Sequence, residues 1–129
     1  MFRENGTAYY AMEFVHGASL KSYAETSSAI SPAQAVYIAQ KLLPSLQILH
    51  QRGVIHRDVS PDNIMLCADG SVKLIDFGSA RYIQDRTCSM SVILKQGFAP
   101  LEQYQRRGAQ GGWTDIYSFG ASLFYAMTL

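Results

Sequence analysis

Two short runs hold the residues best suited to chemistry. The first is His56-Arg57-Asp58-Val59-Ser60-Pro61-Asp62-Asn63 and the second Asp76-Phe77-Gly78. Asp58 and Asp76 bring carboxylates and Asn63 a carboxamide oxygen, hard donors of the kind magnesium takes. A positioned carboxylate can also accept the proton of a hydroxyl. Cys67 and Cys88, by contrast, lack metal-ligand spacing, and His16, His50 and His56 are too scattered for a zinc site.

These runs need elements to hold them. Val54-Ile55 reads as a short strand delivering the chain to His56, and Ile64-Met65-Leu66, Asp69-Gly70 and Val72-Lys73-Leu74-Ile75 read as a hairpin whose two ends carry the polar runs. Upstream, Ser31-Pro32-Ala33-Gln34 combines an N-cap, a proline at the first helical position and a capping-box glutamine. A helix is therefore predicted from Pro32, with Ala35, Ile38, Ala39, Leu42, Leu46 and Leu49 on one apolar stripe until Gly53, and with Pro44 distorting one turn. Thr7 to Val15 is predicted to be a buried strand running into a turn at His16-Gly17, followed by a short helix from Leu20. Asp76 to about Trp113 shows little periodicity, and Asp115 to Leu129 is a helix apolar on nearly all sides, with Thr114 as its cap.

The bulk numbers bound what such a chain can be. With 129 residues, 48% hydrophobic and 16% charged, it suits one compact domain and excludes disorder. A formal charge of +1 gives no field favouring nucleic acid or an anionic membrane surface. No run approaches the roughly 20 apolar residues of a membrane helix, and the N-terminus has no signal-peptide character, so no membrane contact is expected from this segment. A reduced, cytoplasmic setting is the default for two cysteines so placed.

The two polar runs resemble the catalytic loop and the DFG metal-binding motif of eukaryotic-type Ser/Thr protein kinases, including bacterial ones that share the Ser-Pro-Asp-Asn wording. The resemblance implies an α+β, protein kinase-like fold: a mainly helical C-lobe with a small β-hairpin. It also implies transfer of the ATP γ-phosphate to Ser/Thr hydroxyls of a protein substrate, with magnesium. Asp58 would orient and deprotonate the hydroxyl, and Asn63 and Asp76 would hold metal. His56 and Phe77 would stack structurally, and Gly78 would allow the turn after the ligand. Tyr10 to Gly17 resembles the strand and hinge that hold adenine, so Met12 would be the gatekeeper, Glu13 and Val15 would offer backbone groups, and Leu20 and Met65 would pack on the base. Gly97 to Tyr104 resembles the end of the activation segment, with Glu102 as the acid that pairs with a distant arginine. Asp115 would hold the catalytic-loop backbone. Arg57 would receive a phosphate on Thr87, Ser89 or Ser91, whereas Arg106-Arg107 reads as solvated surface.

The match also departs from the family. Such kinases usually carry a lysine two residues after the catalytic aspartate, where this chain has Ser60; where they usually place a threonine in the activation segment, it has Lys95. The expectation is a swap, with Lys95 reaching back over Ser60 to supply the charge. The resemblance covers nearly every residue but only about half a kinase domain: the end of the N-lobe and hinge over 7–17, the C-lobe over 18–129, and no glycine-rich loop or ATP-binding lysine. The isolated chain is therefore expected to be inactive. Two other readings were open at this point: a pseudokinase or scaffold, and a small-molecule phosphotransferase, which Phe77-Gly78 and the Asp115 helix start disfavour.

Overall fold

In chain order, β1 (Phe2–Glu4) and β2 (Thr7–Tyr9) form an exposed antiparallel hairpin. Asn5 and Gly6 both take positive φ at its turn, as a tight hairpin requires. β3 (Gly17–Ser19) leads straight into α1 (Leu20–Thr26), whose first turn is capped by the Ser19 hydroxyl. α2 (Pro32–Gln51) follows, then β4 (Val54–Ile55), β5 (Ile64–Cys67) and β6 (Val72–Leu74). A single 3-10 turn over Phe77–Ser79, β7 (Arg81–Tyr82), α3 (Leu101–Tyr104) and α4 (Gly112–Thr128) complete the order. The computed structural model describes residues 1–9, 11–83, 95–105 and 108–129.

α2 begins where the sequence signals it. Ser31 Oγ accepts from Gln34 N at 3.2 Å, Gln34 Oε1 accepts from Ser31 N at 2.8 Å, and Gly53 at φ +71° ends the run. The helix continues through Pro44. Its stripe of Ala35, Ile38, Leu42 and Leu46 is buried, meeting Leu20 and Ala24 of α1, Ile64 and Val72 of the sheet, and Phe119 and Ala126 of α4 in one core. Leu42 and Leu46 are almost wholly hidden from solvent, so each contributes the ~1.5–3 kcal/mol of a fully buried aliphatic side chain.

Three expectations are corrected. Thr7 to Val15 is not one buried strand: β2 ends at Tyr9, and residues 11–14 are exposed without regular structure, because no described layer covers them. The chain pairs again only at Gly17–Ser19, which adds a third strand to the β5–β6 hairpin in the order β3-β5-β6. The stretch from Asp76 to Trp113 is not wholly irregular, since it contains the 3-10 turn, β7 and α3, and β7 pairs with β4 to brace the strand that enters the His56–Asn63 loop. α4 begins at Gly112, so Thr114 is not its N-cap residue but lies inside the first turn, fully buried, where its Oγ1 accepts from Gly111 N at 3.2 Å. The observed mixture of helices and small sheets agrees with an α+β chain dominated by helix.

Candidate active site

β4, paired with β7, delivers the chain to His56, and β5 takes it away at Ile64; the eight residues between make no ladder of their own and must find other partners for their polar groups. Asp115 supplies the largest share. It stands in the first turn of α4, fully buried, where the helix dipole favours an anion. Its Oδ2 accepts from His56 N at 2.9 Å and from His50 Nε2 at 2.8 Å, and its Oδ1 accepts from Arg57 N at 2.8 Å. From the other side Gln103 Nε2 donates to Arg57 O at 2.9 Å. Arg57 is thus held at φ +69°, a left-handed backbone that a non-glycine residue keeps only when its surroundings impose it. Neither His50 nor Gln103 was flagged by the sequence. His50 closes an amphipathic helix and Gln103 sits in a short polar one, and no spacing marks either.

His56 is buried, and its ring is read by the backbone. Nε2 faces Ile75 O at 3.1 Å, while Nδ1 faces Asp58 N at 3.3 Å. A carbonyl only accepts and an amide only donates, so the ring is neutral with its proton on Nε2. Burial correspondingly pushes its pKa below the ordinary histidine value, against the opposing pull of Asp115. Phe77 packs edge-on against it at 4.7 Å.

Asp58 and Asn63 form one unit. Asn63 Nδ2 donates to Asp58 O at 2.8 Å and to Asp58 Oδ2 at 2.9 Å, which identifies the nitrogen end of the amide and leaves Oδ1 as the outward acceptor. Asn63 N also donates to Ser60 O at 2.9 Å, closing a four-residue turn over Ser60-Pro61-Asp62-Asn63. Asn63 O accepts from Ile75 N at 2.9 Å, continuing the β5–β6 register and bringing the adjacent Asp76 to the same end of the hairpin. Asp76 sits at φ +60°, exposed, with Oδ1 accepting from Gly78 N at 3.1 Å. A Cβ at Gly78 would stand 3.0 Å from that oxygen, so a residue with a side chain would crowd the ligand. The remaining Asp76 oxygen and Asn63 Oδ1 suit a cation that takes few protein ligands and keeps several waters.

Lys95 Nζ donates to Ser60 Oγ at 3.1 Å and pairs with Asp62 Oδ2 at 2.8 Å, while Lys21 approaches Asp62 Oδ1 at 3.7 Å. Lys95 foremost, then Lys21, holds the Asp62 carboxyl below the usual carboxylate range. Arg57 Nε is buried with no hydrogen-bond partner among the described residues, and burial and the nearby charge of Arg81 lower its pKa. Thr87, Ser89 and Ser91 lie outside the described residues. Glu102 accepts from Thr114 Oγ1 at 3.0 Å, which ties α3 to α4.

The residues expected to face adenine are less gathered. Met12 is 77% exposed, and the side chain of Glu13 pairs with Lys73 Nζ at 2.8 Å across an exposed surface. Val15 is half-buried. Met65 and Lys73 lie opposite each other, on the face of the sheet away from Ile64. Leu20 corrects the expectation, because it is wholly buried in the core and presents nothing to a base; as the first residue of α1, directly after β3, it turns inward. An apolar groove of about 870 Å³ lies between α2 and α4, lined by Val36, Leu43, Pro44 and Ile116 among others, and includes none of the nucleotide-facing residues. Among the described residues no three His, Cys, Asp or Glu side chains cluster as a metal site, and no helix is long and apolar enough to cross a membrane.

The protein kinase domain family matches residues 1–129. The chain is 39% identical over 122 residues to serine/threonine-protein kinase PknB of Mycobacterium leprae, covering 93% of this chain and 20% of that protein. It is 36% identical over 124 residues to PknB of Mycobacterium tuberculosis, again covering 93% and 20%. Against a probable serine/threonine-protein kinase of Lactococcus lactis it is 31% identical over 121 residues, covering 93% and 19%. The chain thus spans about a fifth of the length of these curated relatives.

Proposed function

This chain belongs to the protein kinase domain family, matched from its first residue to its last, and from that premise we propose that the protein carrying it transfers the γ-phosphate of ATP to Ser and Thr hydroxyls of protein substrates. The observation that carries the reading is the double hydrogen bond from Asn63 to Asp58, which joins the base and a metal ligand into one rigid turn. Phosphoryl transfer asks the protein mainly for positioning and electrostatic support. Asp58 holds the substrate hydroxyl and takes its proton as the oxygen attacks the γ-phosphorus and the bond to the bridging oxygen of ADP breaks. Asn63 Oδ1 and the free Asp76 oxygen are the donors for magnesium, which when bound neutralises phosphate charge.

The positioning residues act through the backbone. Asp115 and Gln103 hold Arg57 in its left-handed conformation, which aims Asp58, and neutral His56 links the Asp58 amide to Ile75, one residue before Asp76. On the nucleotide side, backbone groups of Glu13 and Val15 face adenine, Met12 is the gatekeeper and Met65 packs on the ring. Arg57 and Arg81 are the receiver for a phosphate on Thr87, Ser89 or Ser91, a role supported by Arg57 Nε, which has no partner among the described residues.

A transfer assay with radiolabelled ATP and magnesium on the full-length protein tests the reading. Asp58→Ala should lower the rate by about 10²–10⁴-fold, the usual contribution of a positioned base, and Asp76→Ala should abolish transfer at ordinary magnesium concentrations. Undiminished transfer in both variants, or none from a folded wild type, would reject it.

A further inference from the structure

The loop that carries Asp58, Asp62 and Asn63, together with Asp76, presents three carboxylates where a phosphoryl group would arrive with charge of its own. A transition state that spreads charge over phosphoryl oxygens needs a cation facing it. Ser60, two residues after Asp58, is wholly buried and neutral, so the turn does not furnish that cation itself. Lys21 donates its backbone amide to Pro61 O at 3.0 Å, and its ammonium approaches the turn at Asp62 Oδ1, at 3.7 Å, away from Ser60. The guanidinium of Arg57 stands close enough to Arg81 for their charges to repel.

Resting on the kinase reading, we propose that Lys95 is the cation that meets the transferred phosphoryl group, delivered to the catalytic turn by the segment that precedes α3. Its ammonium bonds Ser60 Oγ at 3.1 Å and Asp62 Oδ2 at 2.8 Å, the first and third residues of the turn whose fourth is Asn63. An ammonium has three N–H donors, and these two contacts leave one for a phosphate oxygen. The side chain is 36% exposed, so that third donor is open to a ligand, whereas Ser60 is sealed beneath it and serves as the seat. Asp62 fixes the long side chain in one direction, removing rotamer freedom that an unpaired lysine would lose on binding. Because the charge belongs to a different stretch of chain from Asp58, it reaches the turn only while residues 95–105 are docked through Glu102 on Thr114 and Gln103 on Arg57. Turnover thereby depends on the docking of that segment without any change at Asp58 or the metal ligands.

A purely tethering lysine would make the same ion pair, so the test must separate charge from anchorage. In the full-length protein, Lys95→Met should lower kcat about ten- to a hundredfold, below the full loss of a preorganised donor because the site is partly solvated, with KM for ATP changed less than about threefold. The swap S60K/K95T, which puts the ammonium on the turn itself, should recover kcat to within about fivefold of wild type. Wild-type kcat in Lys95→Met overturns the proposal, and so does a rise in KM alone, which would make the contact one of ground-state binding. A loss in Lys95→Met that the swap does not recover assigns Lys95 to anchorage and also overturns it. Asp58→Ala run alongside tells the two readings apart: with Asp58→Ala inactive and Lys95→Met unaffected, the kinase reading stands and only the role of Lys95 falls.

Discussion

The loop from His56 to Asn63 and the segment from Ala11 to His16 both lack helix and strand, yet they are held in opposite ways. No residue of the first is exposed, and its main chain is gripped by buried side chains from α3 and α4. All but Val15 of the second are exposed; its described side-chain contacts are the Glu13–Lys73 ion pair and the Phe14–His16 ring contact. Buried polar groups are costly unless paired, and here the His56 and Arg57 amides and the Arg57 carbonyl are all paired, while Arg57 Nε and Gln103 Oε1 have no partner among the described residues. An exposed segment makes no such demand and leaves its geometry to whatever binds it. The contrast fits a site whose reacting groups are rigid before substrate arrives while its base-facing edge adapts.

The sharpest way to break this contrast is Asp115→Ala. It strands the His56 and Arg57 amides in the interior, at about 1–3 kcal/mol for each unsatisfied group, so the summed loss of unfolding free energy should be about 2–6 kcal/mol in denaturant titration of the full-length protein. A loss under ~1 kcal/mol would mean that water replaces the carboxylate and the loop is not held as described.

A smaller effect follows from His56. Its folded pKa lies below the ordinary value near 6.5, so between those two values the unfolded chain binds a proton that the folded one refuses. Its contribution is therefore complete above pH ~6.5 and is lost as the pH falls toward the folded value, with a slope of at most about 1.4 kcal/mol per pH unit. Melting curves from pH 7.5 to 5.5 should show this slope in wild type and a flatter one in His56→Gln; equal slopes would argue against a buried neutral ring.

Smallest of all is Glu13→Gln. The pair with Lys73 is fully exposed and screened by salt, so thermal melting at physiological ionic strength should not move measurably. A clear drop would show that the 11–16 segment depends on that contact and is held more firmly than its exposure implies.

Much of this could be read from the residues in order. The Ser31-Pro32-Gln34 box, the stripe of α2, the hairpin that carries Asn63 and Asp76, and the chemical types of Asp58, Asn63 and Asp76 are local signals, because capping, periodicity and ligand chemistry depend on residues near one another in the chain. What stayed hidden was long-range. Leu20 looked like a neighbour of the nucleotide until the core claimed it, and Thr114 looked like a cap until α4 began at Gly112. His50 and Gln103 carry no motif, yet both are part of the clamp on the catalytic loop. The sequence alone determined which groups could do chemistry and which short elements flank them. Tertiary structure decided which buried donors and acceptors complete one another, since a hydrogen bond between residues such as Asp115 and His56 exists only once packing has removed water from both.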